Sequence, residues 1–310
     1  MNLASGVMDD LRESLQESLG PACTLERELG GGGMSRVFLA RDRALDREVV
    51  VKVLLPELAE GVSVKRFARE VHETANLQHP HIVPVLRAGS TSVGVPWYVM
   101  PFVRGETMRA RMDRGRIGFG ESLALLGDVA KALGAVHAAG LVHRDVKPDN
   151  IIVCGGAAVV TDFGIAHAMH GARSERDVQL TALSTSLGTP AYLAPEQAVG
   201  DEIDARTDIY SIGVVAYEMI AGHHAFPDAH TAQKLIAAHI AERPQPLHAR
   251  AVGAPAWFCA LVMACLEKDP AKRPADGSDL LRRLDDAAEP PSITQRVTMS
   301  MRGLFGGRPR

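Results

Sequence analysis

The stretch that decides the fold is His143-Arg144-Asp145-Val146-Lys147-Pro148-Asp149-Asn150, followed twelve residues after Asn150 by Asp162-Phe163-Gly164. The two segments supply carboxylates, an ammonium group and an amide in close succession. Such groups suit the alignment of a hydroxyl for attack and the binding of a divalent cation, because magnesium combines one or two protein carboxylates with substrate phosphates. The two segments therefore indicate phosphoryl transfer.

Composition indicates an ordinary globular protein. The chain has 310 residues, 46% hydrophobic and 23% charged, which is enough to bury a large core divided between two lobes. Its net charge of −3 provides no whole-chain basis for binding nucleic acid or a membrane surface. No run of about 18 apolar residues is present and acidic residues interrupt the N-terminus, so neither a membrane span nor a secretion signal is expected. The four cysteines form no CxxC pair, which favours inert thiols in a soluble, cytoplasmic protein.

The character of the sequence changes along the chain. Helical spacing predicts a lead-in helix in residues 1–23, and β-branched runs predict antiparallel strands with one helix in 24–103. Helices dominate 104–288, and a basic tail occupies 289–310. This order of strand-rich and helix-rich halves predicts an α+β fold with segregated elements. The apolar runs 81–89 and 96–103 are strand candidates, and helices are predicted over 63–78, 121–139, 206–221, 256–267 and 278–288.

A glycine cluster lies in the first half, within Leu29-Gly30-Gly31-Gly32-Gly33-Met34-Ser35-Arg36-Val37. A GxGxxG-type pattern alone is weak because Rossmann folds also use it, but here a strand-like run follows and no Walker-type Gly-Lys-Ser/Thr is present. Glycines at a hairpin tip let backbone amides approach phosphates, whereas a plain hairpin turn needs about two glycines. The four consecutive glycines therefore favour a phosphate-binding hairpin.

Together the motifs resemble those of bacterial-type, or Hanks-type, serine/threonine protein kinases, and the resemblance covers about residues 25–287. It implies a two-lobed, protein-kinase-like α+β fold. The N-lobe would contain a small antiparallel sheet and one long helix, and the larger C-lobe would be mainly helical. It also implies ATP as phosphoryl donor, Mg2+ as cofactor and Ser/Thr hydroxyls of protein substrates as acceptors. Self-association for autophosphorylation in trans fits the same family pattern.

The resemblance assigns a nucleotide site to four parts of the chain: the glycine cluster, the strand with Lys52, the helix with Glu70, and residues 97–103, which resemble the hinge that joins the lobes. Lys52 resembles the strand lysine that contacts the α- and β-phosphates, and Glu70 resembles the helix glutamate that holds this lysine, with Glu73 as the alternative partner. Ser35 replaces the usual third glycine, and Pro101 replaces a more usual glutamate but keeps the carbonyl that adenine would use. The ATP-binding set implied is Leu29, Gly30, Gly31, Gly32, Gly33, Met34, Ser35, Val37, Lys52, Glu70, Met100, Pro101 and Val103.

The start of the hinge-like segment and the loops at 143–150 and 162–164 complete the implied site. Trp97 and Tyr98 begin the hinge-like segment, with ordinary strand residues as the plain alternative. By resemblance, Asp145 orients the acceptor hydroxyl, Lys147 neutralises charge on the γ-phosphate, and Asn150 and Asp162 hold magnesium. The resemblance also places Thr189 beside the substrate hydroxyl. Three further residues are implied as architectural: Glu196 paired with Arg273 as a buried structural ion pair, and Asp208 as the anchor of the catalytic loop.

The segment between Asp162 and Glu196 is interpreted as a regulatory loop, because Arg144 precedes the catalytic aspartate and an arginine can capture a phosphate. Thr181 best matches the family's phosphorylated position and Thr185 is second. His167 stands where relatives often have arginine, which predicts weaker and pH-dependent support for the phosphate.

Two alternatives remain beside a protein kinase. A pseudokinase acting as a binding or scaffold protein would be expected to lack the lysine or one of the two aspartates, and all three are present. A small-molecule kinase of the aminoglycoside-phosphorylating kind shares a similar catalytic loop, but that group lacks the Gly-Thr-Pro-Ala-Tyr-Leu-Ala-Pro-Glu segment at 188–196.

Overall fold

The computed structural model describes residues 3–32, 35–55, 67, 71, 74–163, 190–250 and 253–288. The helices are α1 Leu3–Leu19, α2 Met108–Asp113, α3 Phe119–Ala138, α4 Pro195–Val199, α5 Ala205–Ala221, α6 Ala232–Ala241, α7 Ala256–Cys265 and α8 Gly277–Ala288. The strands are β1 Cys23–Gly32, β2 Ser35–Asp42, β3 Arg47–Leu54, β4 Arg87–Ser90, β5 Pro96–Pro101, β6 Glu106–Thr107, β7 Ile151–Cys154 and β8 Ala157–Val160. The predicted two-lobed α+β arrangement is confirmed.

The N-lobe is a five-stranded antiparallel sheet in the order β1-β2-β3-β5-β4. Because strand side chains alternate, β3 presents Val49, Val51 and Val53 to one face and Val50 with Lys52 to the other. The second face looks toward the C-lobe, and Lys52 thereby reaches the cleft between the lobes.

The lead-in helix α1 covers the outer face of this sheet. Leu11, Leu15 and Leu19 follow a spacing of four residues, are at most 5% exposed, and belong to the same buried cluster as Val49, Val51 and Val53. Ser18 Oγ donates to the Ser90 carbonyl at 2.8 Å and accepts from the Trp97 indole at 2.8 Å. Residues 1–23, which the sequence pattern set apart from the N-lobe, thus contribute a helix to its core.

The predicted strand over 81–89 is wrong for most of its length. Only Arg87–Ser90 forms β4, because Pro84 has no N–H to donate to a ladder. The preceding residues instead join the C-lobe hairpin: Val83 N donates to Val160 O and Val160 N donates to His81 O, each at 2.9 Å.

The C-lobe is built around α5, whose side chains are almost all buried, as its nearly continuous apolar sequence predicted. The Asp204 side chain accepts from Arg206 N at 2.8 Å to begin this helix, and Gly222 ends it at φ 75°. The four C-lobe helices predicted from periodicity correspond to α3, α5, α7 and α8. Of the helix predicted over 63–78, Phe67, Val71, Thr74 and Ala75 are helical and most other positions lie outside the described residues, as does the whole tail 289–310. None of the described helices combines the length and apolar character needed to cross a bilayer.

Candidate active site

A β-hairpin brings together the two loops that decide the fold. Strands β7 and β8 pair with Ile151 opposite Val160, and Thr161 N donates to Asn150 O at 2.9 Å. The turn between them consists of Gly155 and Gly156 at φ 59° and 84°, a conformation that glycine adopts without strain. Because the hairpin folds the chain back on itself, the loop ending at Asn150 and the loop holding Asp162 emerge side by side.

Asp208 on α5 holds the first loop from behind. Its fully buried carboxylate accepts from His143 N at 2.7 Å, from Arg144 N at 2.8 Å and from His137 Nε2 at 2.9 Å. Arg144 has φ 67°, a left-handed conformation that a residue with a Cβ adopts only when its surroundings hold it. The anchoring role predicted for Asp208 therefore matches its contacts.

His143 links the two loops directly. Its Nδ1 accepts from Asp145 N at 3.3 Å, so its Nε2 carries the proton and donates to Thr161 O at 3.0 Å. The ring also packs on Phe163, with centroids 4.6 Å apart. One buried imidazole thus fixes the position of Asp145 relative to the segment that holds Asp162.

Three polar side chains of the first loop converge on the cleft. Lys147 Nζ contacts Asp145 Oδ2 at 2.7 Å, and Asn150 Nδ2 donates to Asp145 Oδ2 at 3.0 Å and to its carbonyl at 2.9 Å. The Asp145 and Lys147 side chains are about one third exposed, at 34% and 30%. They are therefore oriented by one another yet open to a substrate.

Lys52 and Asp162 join the lobes. Lys52 Nζ lies 2.7 Å from Asp162 Oδ2, and Asp162 has φ 67°. Burial alone raises the pKa of Asp162, but the charge and hydrogen bond of Lys52 and the hydrogen bond of Tyr98 outweigh it, so this pKa lies below its ordinary value. The carboxylate is ionised and available as an anionic ligand at neutral pH.

Tyr98 contacts this site directly, whereas the sequence placed it only at the start of a hinge-like segment, with an ordinary strand residue as the alternative. Its hydroxyl donates to Asp162 Oδ1 at 2.5 Å, and its pKa is raised by burial and by the neighbouring carboxylate. A signal did exist in the sequence: Tyr98 and Met100 alternate on β5, so the phenol shares a face with the hinge methionine. The alternation alone does not identify Asp162 as the partner of Tyr98. That partner follows only from the pairing of β3 with β5, which sets Lys52 opposite Tyr98.

A cluster of apolar side chains adjoins these polar groups. Met100, 9% exposed, belongs to a buried cluster with Val50 and Tyr98, and Val37 and Val103 pack against it. Thr161 Oγ1 contacts the Met100 sulfur at 3.2 Å. Pro101 ends β5 opposite Val49, so the chain leaves the sheet there. Apolar side chains of this kind are suited to contact a flat ring, with backbone groups of residues 101–103 near its edge.

The glycine cluster forms the hairpin that the sequence predicted, between β1 and β2. Gly30 pairs with Val37, Gly31 with Arg36 and Gly32 with Ser35, while Leu29 is 37% exposed. Gly30 has φ 143°, and a Cβ on Gly31 would lie 2.7 Å from the Ser35 carbonyl, so neither position accommodates a side chain without movement. Gly33 and Met34, at the tip, lie outside the described residues.

Several predicted site residues fall outside the part of the chain that the structure describes. These are Glu70 with its alternative Glu73, Thr181 and Thr185 with His167, and Thr189. The structure therefore brings together Lys52, Asp145, Lys147, Asn150 and Asp162. It leaves the partner glutamate and the regulatory threonines as predictions.

Glu196 and Arg273 form the buried ion pair that the sequence predicted. Their atoms meet at 2.7 and 3.0 Å in a two-pronged contact, and the side chains are 5% and 0% exposed. Burial raises the pKa of Glu196, but the hydrogen bond and charge of Arg273 lower it by more, so this pKa lies below its ordinary value.

The donors in the cleft fit a magnesium ion that also binds phosphate. Asp162 offers a carboxylate, and Asn150 directs its amide nitrogen to Asp145, which leaves its amide oxygen for a cation. Among the described residues no group of three or more His, Cys, Asp or Glu side chains is arranged to hold a metal by itself. This donor set suits a hard cation that keeps waters and substrate oxygens as its remaining ligands.

Comparison with known proteins finds relatives that share one description. It is 38% identical over 284 residues to a serine/threonine-protein kinase of Corynebacterium efficiens, covering 88% of this chain and 52% of the relative. It is 40% identical over 279 residues to the serine/threonine-protein kinase PknB of Mycobacterium tuberculosis, covering 87% of this chain and 44% of that protein. The chain thus spans about half the length of the curated relatives that it matches.

Solved structures agree with this relationship. The crystal structure of the Mycobacterium tuberculosis PknI kinase domain is similar with a TM-score of 0.67 and 28% identity, covering 86% of this chain and 97% of that one. A crystal structure of a single-site mutant of the same domain gives a TM-score of 0.66 at 26% identity, covering 87% and 96%. The family model for the protein kinase domain matches residues 23–282. With its interlobe lysine–aspartate contact, its anchored catalytic loop and this match over most of its length, the chain belongs to the protein kinase family.

Proposed function

We propose that this chain transfers the γ-phosphoryl group of ATP to serine and threonine hydroxyls of proteins, with magnesium as cofactor. The observation that carries the proposal is the meeting of Lys52 with Asp162, beside Asp145, Lys147 and Asn150, in the cleft between the lobes. The names of the relatives, serine/threonine-protein kinases, support the same acceptor class.

Each side chain has a physical task in this reaction. Lys52 and the backbone of the glycine hairpin hold phosphate oxygens, and the walls around Met100, Pro101 and Val103 receive adenine. Asn150 and Asp162 hold magnesium, which when bound neutralises charge on the phosphates. Asp145 orients the acceptor hydroxyl, and Lys147 stabilises the charge on the transferred group. Catalysis of this kind is mostly positioning and electrostatic stabilisation.

The regulatory part of the proposal concerns the segment between Asp162 and Glu196. We infer that Thr181, with Thr185 second, accepts phosphate from a second copy of the chain, that Thr189 lies beside the substrate hydroxyl, and that Glu70 is the partner of Lys52. A cytoplasmic setting fits the reduced cysteines, which are all unpaired in the structure.

Phosphate transfer with a matched pair of variants tests the proposal. The purified chain, incubated with labelled ATP and a serine- and threonine-containing protein, is expected to label both itself and the added protein only when magnesium is present. Asp145→Asn should lower the rate by about 10²–10⁴-fold, because the group that orients the hydroxyl loses its charge. Asp285→Asn, which neutralises an exposed carboxylate on α8, should leave the rate unchanged.

Mass-spectrometric mapping of the labelled sites completes the test. Phosphate on serine and threonine, including Thr181 or Thr185, is the expected result. A wild-type chain without magnesium-dependent transfer would favour the pseudokinase alternative, and an Asp145→Asn chain with the wild-type rate would overturn the role of that residue.

A further inference from the structure

Tyr98 occupies an unusual place in the cleft. It lies on β5 directly opposite Lys52 on β3 and opposite Ala88 on β4, so the phenol and the lysine project side by side from the same face of the sheet. The Tyr98 side chain is buried, at 4% exposed, and only its hydroxyl reaches the loop after β8, where it donates to Asp162 Oδ1 at 2.5 Å. Two paired strand residues thus converge on one carboxylate of the other lobe.

Lys52 and Tyr98 contact different oxygens of the Asp162 carboxylate. Lys52 Nζ takes Oδ2 at 2.7 Å and Tyr98 takes Oδ1. Lys52 has a flexible side chain that is 22% exposed, so it can turn from Asp162 to a phosphate. The Tyr98 ring has two rotatable bonds and packs in an apolar cluster with Val50, Phe67 and Met100, so it stays in place. When the lysine changes partner, the phenol is the donor that remains on Asp162.

The hydrogen bond from Tyr98 also bears on the backbone conformation of Asp162. Asp162 has φ 67°, a left-handed conformation that is uncommon for residues with a Cβ, although aspartate adopts it more readily than most, and contacts from both lobes support it here. From the C-lobe, Phe163 packs on His143. From the N-lobe, the Tyr98 hydroxyl holds the carboxylate itself. The hydrogen bond therefore fixes both the rotamer of Asp162 and its distance from the sheet.

We propose that Tyr98 is a positioning residue that holds the Asp162 carboxylate in the orientation needed to bind magnesium with the nucleotide. The inference rests on the proposed function, because it takes Asp162 as the metal ligand. The phenol and a cation do not compete for the same electron pair, since a carboxylate has about four acceptor sites and Oδ2 is released when Lys52 moves to the phosphates. The hydroxyl thus presents Oδ2 to the cleft in place of a freely rotating group.

A binding experiment with Tyr98→Phe tests the proposal, because this variant keeps the ring and removes only the hydroxyl. The dissociation constant of a non-hydrolysable ATP analogue is measured by calorimetry with and without magnesium. The constant without magnesium divided by the constant with magnesium reports how much the metal tightens binding. Because a hydrogen bond to a charged group is lost, this ratio is expected to fall about tenfold, while metal-free affinity stays unchanged. The magnesium concentration that gives half-maximal rate should rise about tenfold, with the KM for the protein substrate unaltered.

Tyr217→Phe is the matched control. Tyr217 is a buried tyrosine on α5 whose hydroxyl has no hydrogen-bond partner within the described part of the chain, so this variant removes a hydroxyl without breaking a hydrogen bond there. The metal-free affinity measured in each sample shows that the nucleotide site is folded.

The outcomes separate this inference from the function on which it rests. A Tyr98→Phe chain with the same metal contribution as wild type and Tyr217→Phe would overturn the role of Tyr98 and leave the kinase assignment intact. A Tyr98→Phe chain that needs less magnesium would overturn it as well, because the phenol would then be a competitor of the metal. A wild-type chain whose nucleotide affinity is indifferent to magnesium would instead count against the proposed function.

Discussion

Two ion pairs in this protein have the same chemistry and opposite surroundings. Glu196 and Arg273 meet through two contacts in the C-lobe and are at most 5% exposed. Lys52 and Asp162 meet through one contact between the lobes and are 22% and 13% exposed. The first pair is closed within the protein, whereas the second faces the cleft.

The remaining hydrogen bonds explain the difference. Arg273 also donates to the carbonyls of Glu267, Arg206 and Lys268 at 2.7 to 3.0 Å, and Glu196 also accepts from Thr207 Oγ1 at 2.8 Å. A buried pair with all its groups satisfied stabilises one arrangement and is costly to break. A partly exposed ammonium that meets its carboxylate through a single atom pair can exchange that carboxylate for a phosphate. The closed pair is architectural, and the open pair serves the ligand.

The largest expected effect comes from breaking the closed pair. Arg273→Ala should lower the free energy of unfolding by about 3–5 kcal/mol, because Glu196 is left as a buried charge without its partner. Chemical denaturation followed by circular dichroism measures this loss. Arg41→Ala removes an exposed arginine that pairs with Asp46 on the surface, and its unfolding midpoint should match wild type. Equal midpoints for the two variants would remove the distinction between the pairs.

Breaking the open pair should have its effect on turnover and not on folding. Lys52→Met is expected to lower the rate of phosphate transfer by about 10²–10³-fold, because one positively charged donor to the phosphates is lost. Its melting temperature should stay near wild type, since Asp162 keeps the hydrogen bond from Tyr98. Lys131→Met, which removes an exposed lysine paired with Asp128 on α3, should change neither quantity. A large fall in the melting temperature of Lys52→Met would show that this pair, too, is architectural.

The smallest effect concerns pH and the surroundings of the closed pair. Burial, followed by the nearby charges of His224 and Lys268, lowers the pKa of His239 to about 3. Its two nitrogens contact the Tyr210 hydroxyl at 3.0 Å and the Ala191 carbonyl at 2.9 Å, an arrangement that suits the neutral ring. As pH falls below about 6.5, the His239 imidazole therefore binds a proton in the unfolded chain but stays neutral in the folded chain.

Stability should accordingly fall by about 1 kcal/mol between pH 7 and pH 5.5 from this residue alone, a window in which carboxylates stay ionised. Denaturation midpoints measured across that range give the slope. His239→Gln should flatten it relative to wild type, and an unchanged slope in this variant would assign the pH dependence to other groups.

Local patterns in the sequence were sufficient to predict much of the fold and the composition of the site. Periodicity predicted α5 because nearly every position of a buried helix is apolar. The four glycines predicted the hairpin between β1 and β2, where Gly30 has a positive φ and a Cβ on Gly31 would meet the Ser35 carbonyl. The apolar run 81–89 misled the same reasoning. Its residues make long-range contacts with β8, and Pro84 excludes a ladder, so periodicity alone could not distinguish a strand from an irregular segment.

By itself the sequence determined which chemical groups are available: Asp145, Lys147, Asn150 and Asp162 lie close along the chain, and their identities indicate the chemistry without coordinates. Only the tertiary structure decided that Lys52 and Tyr98 share one carboxylate and that α1 covers the sheet. The reason is that these contacts depend on strand register and side-chain direction, which join residues as far apart as Lys52 and Asp162, 110 positions from one another. A residue such as Tyr98 has an ordinary identity in the sequence, and its partner becomes visible only once the two lobes are folded against each other.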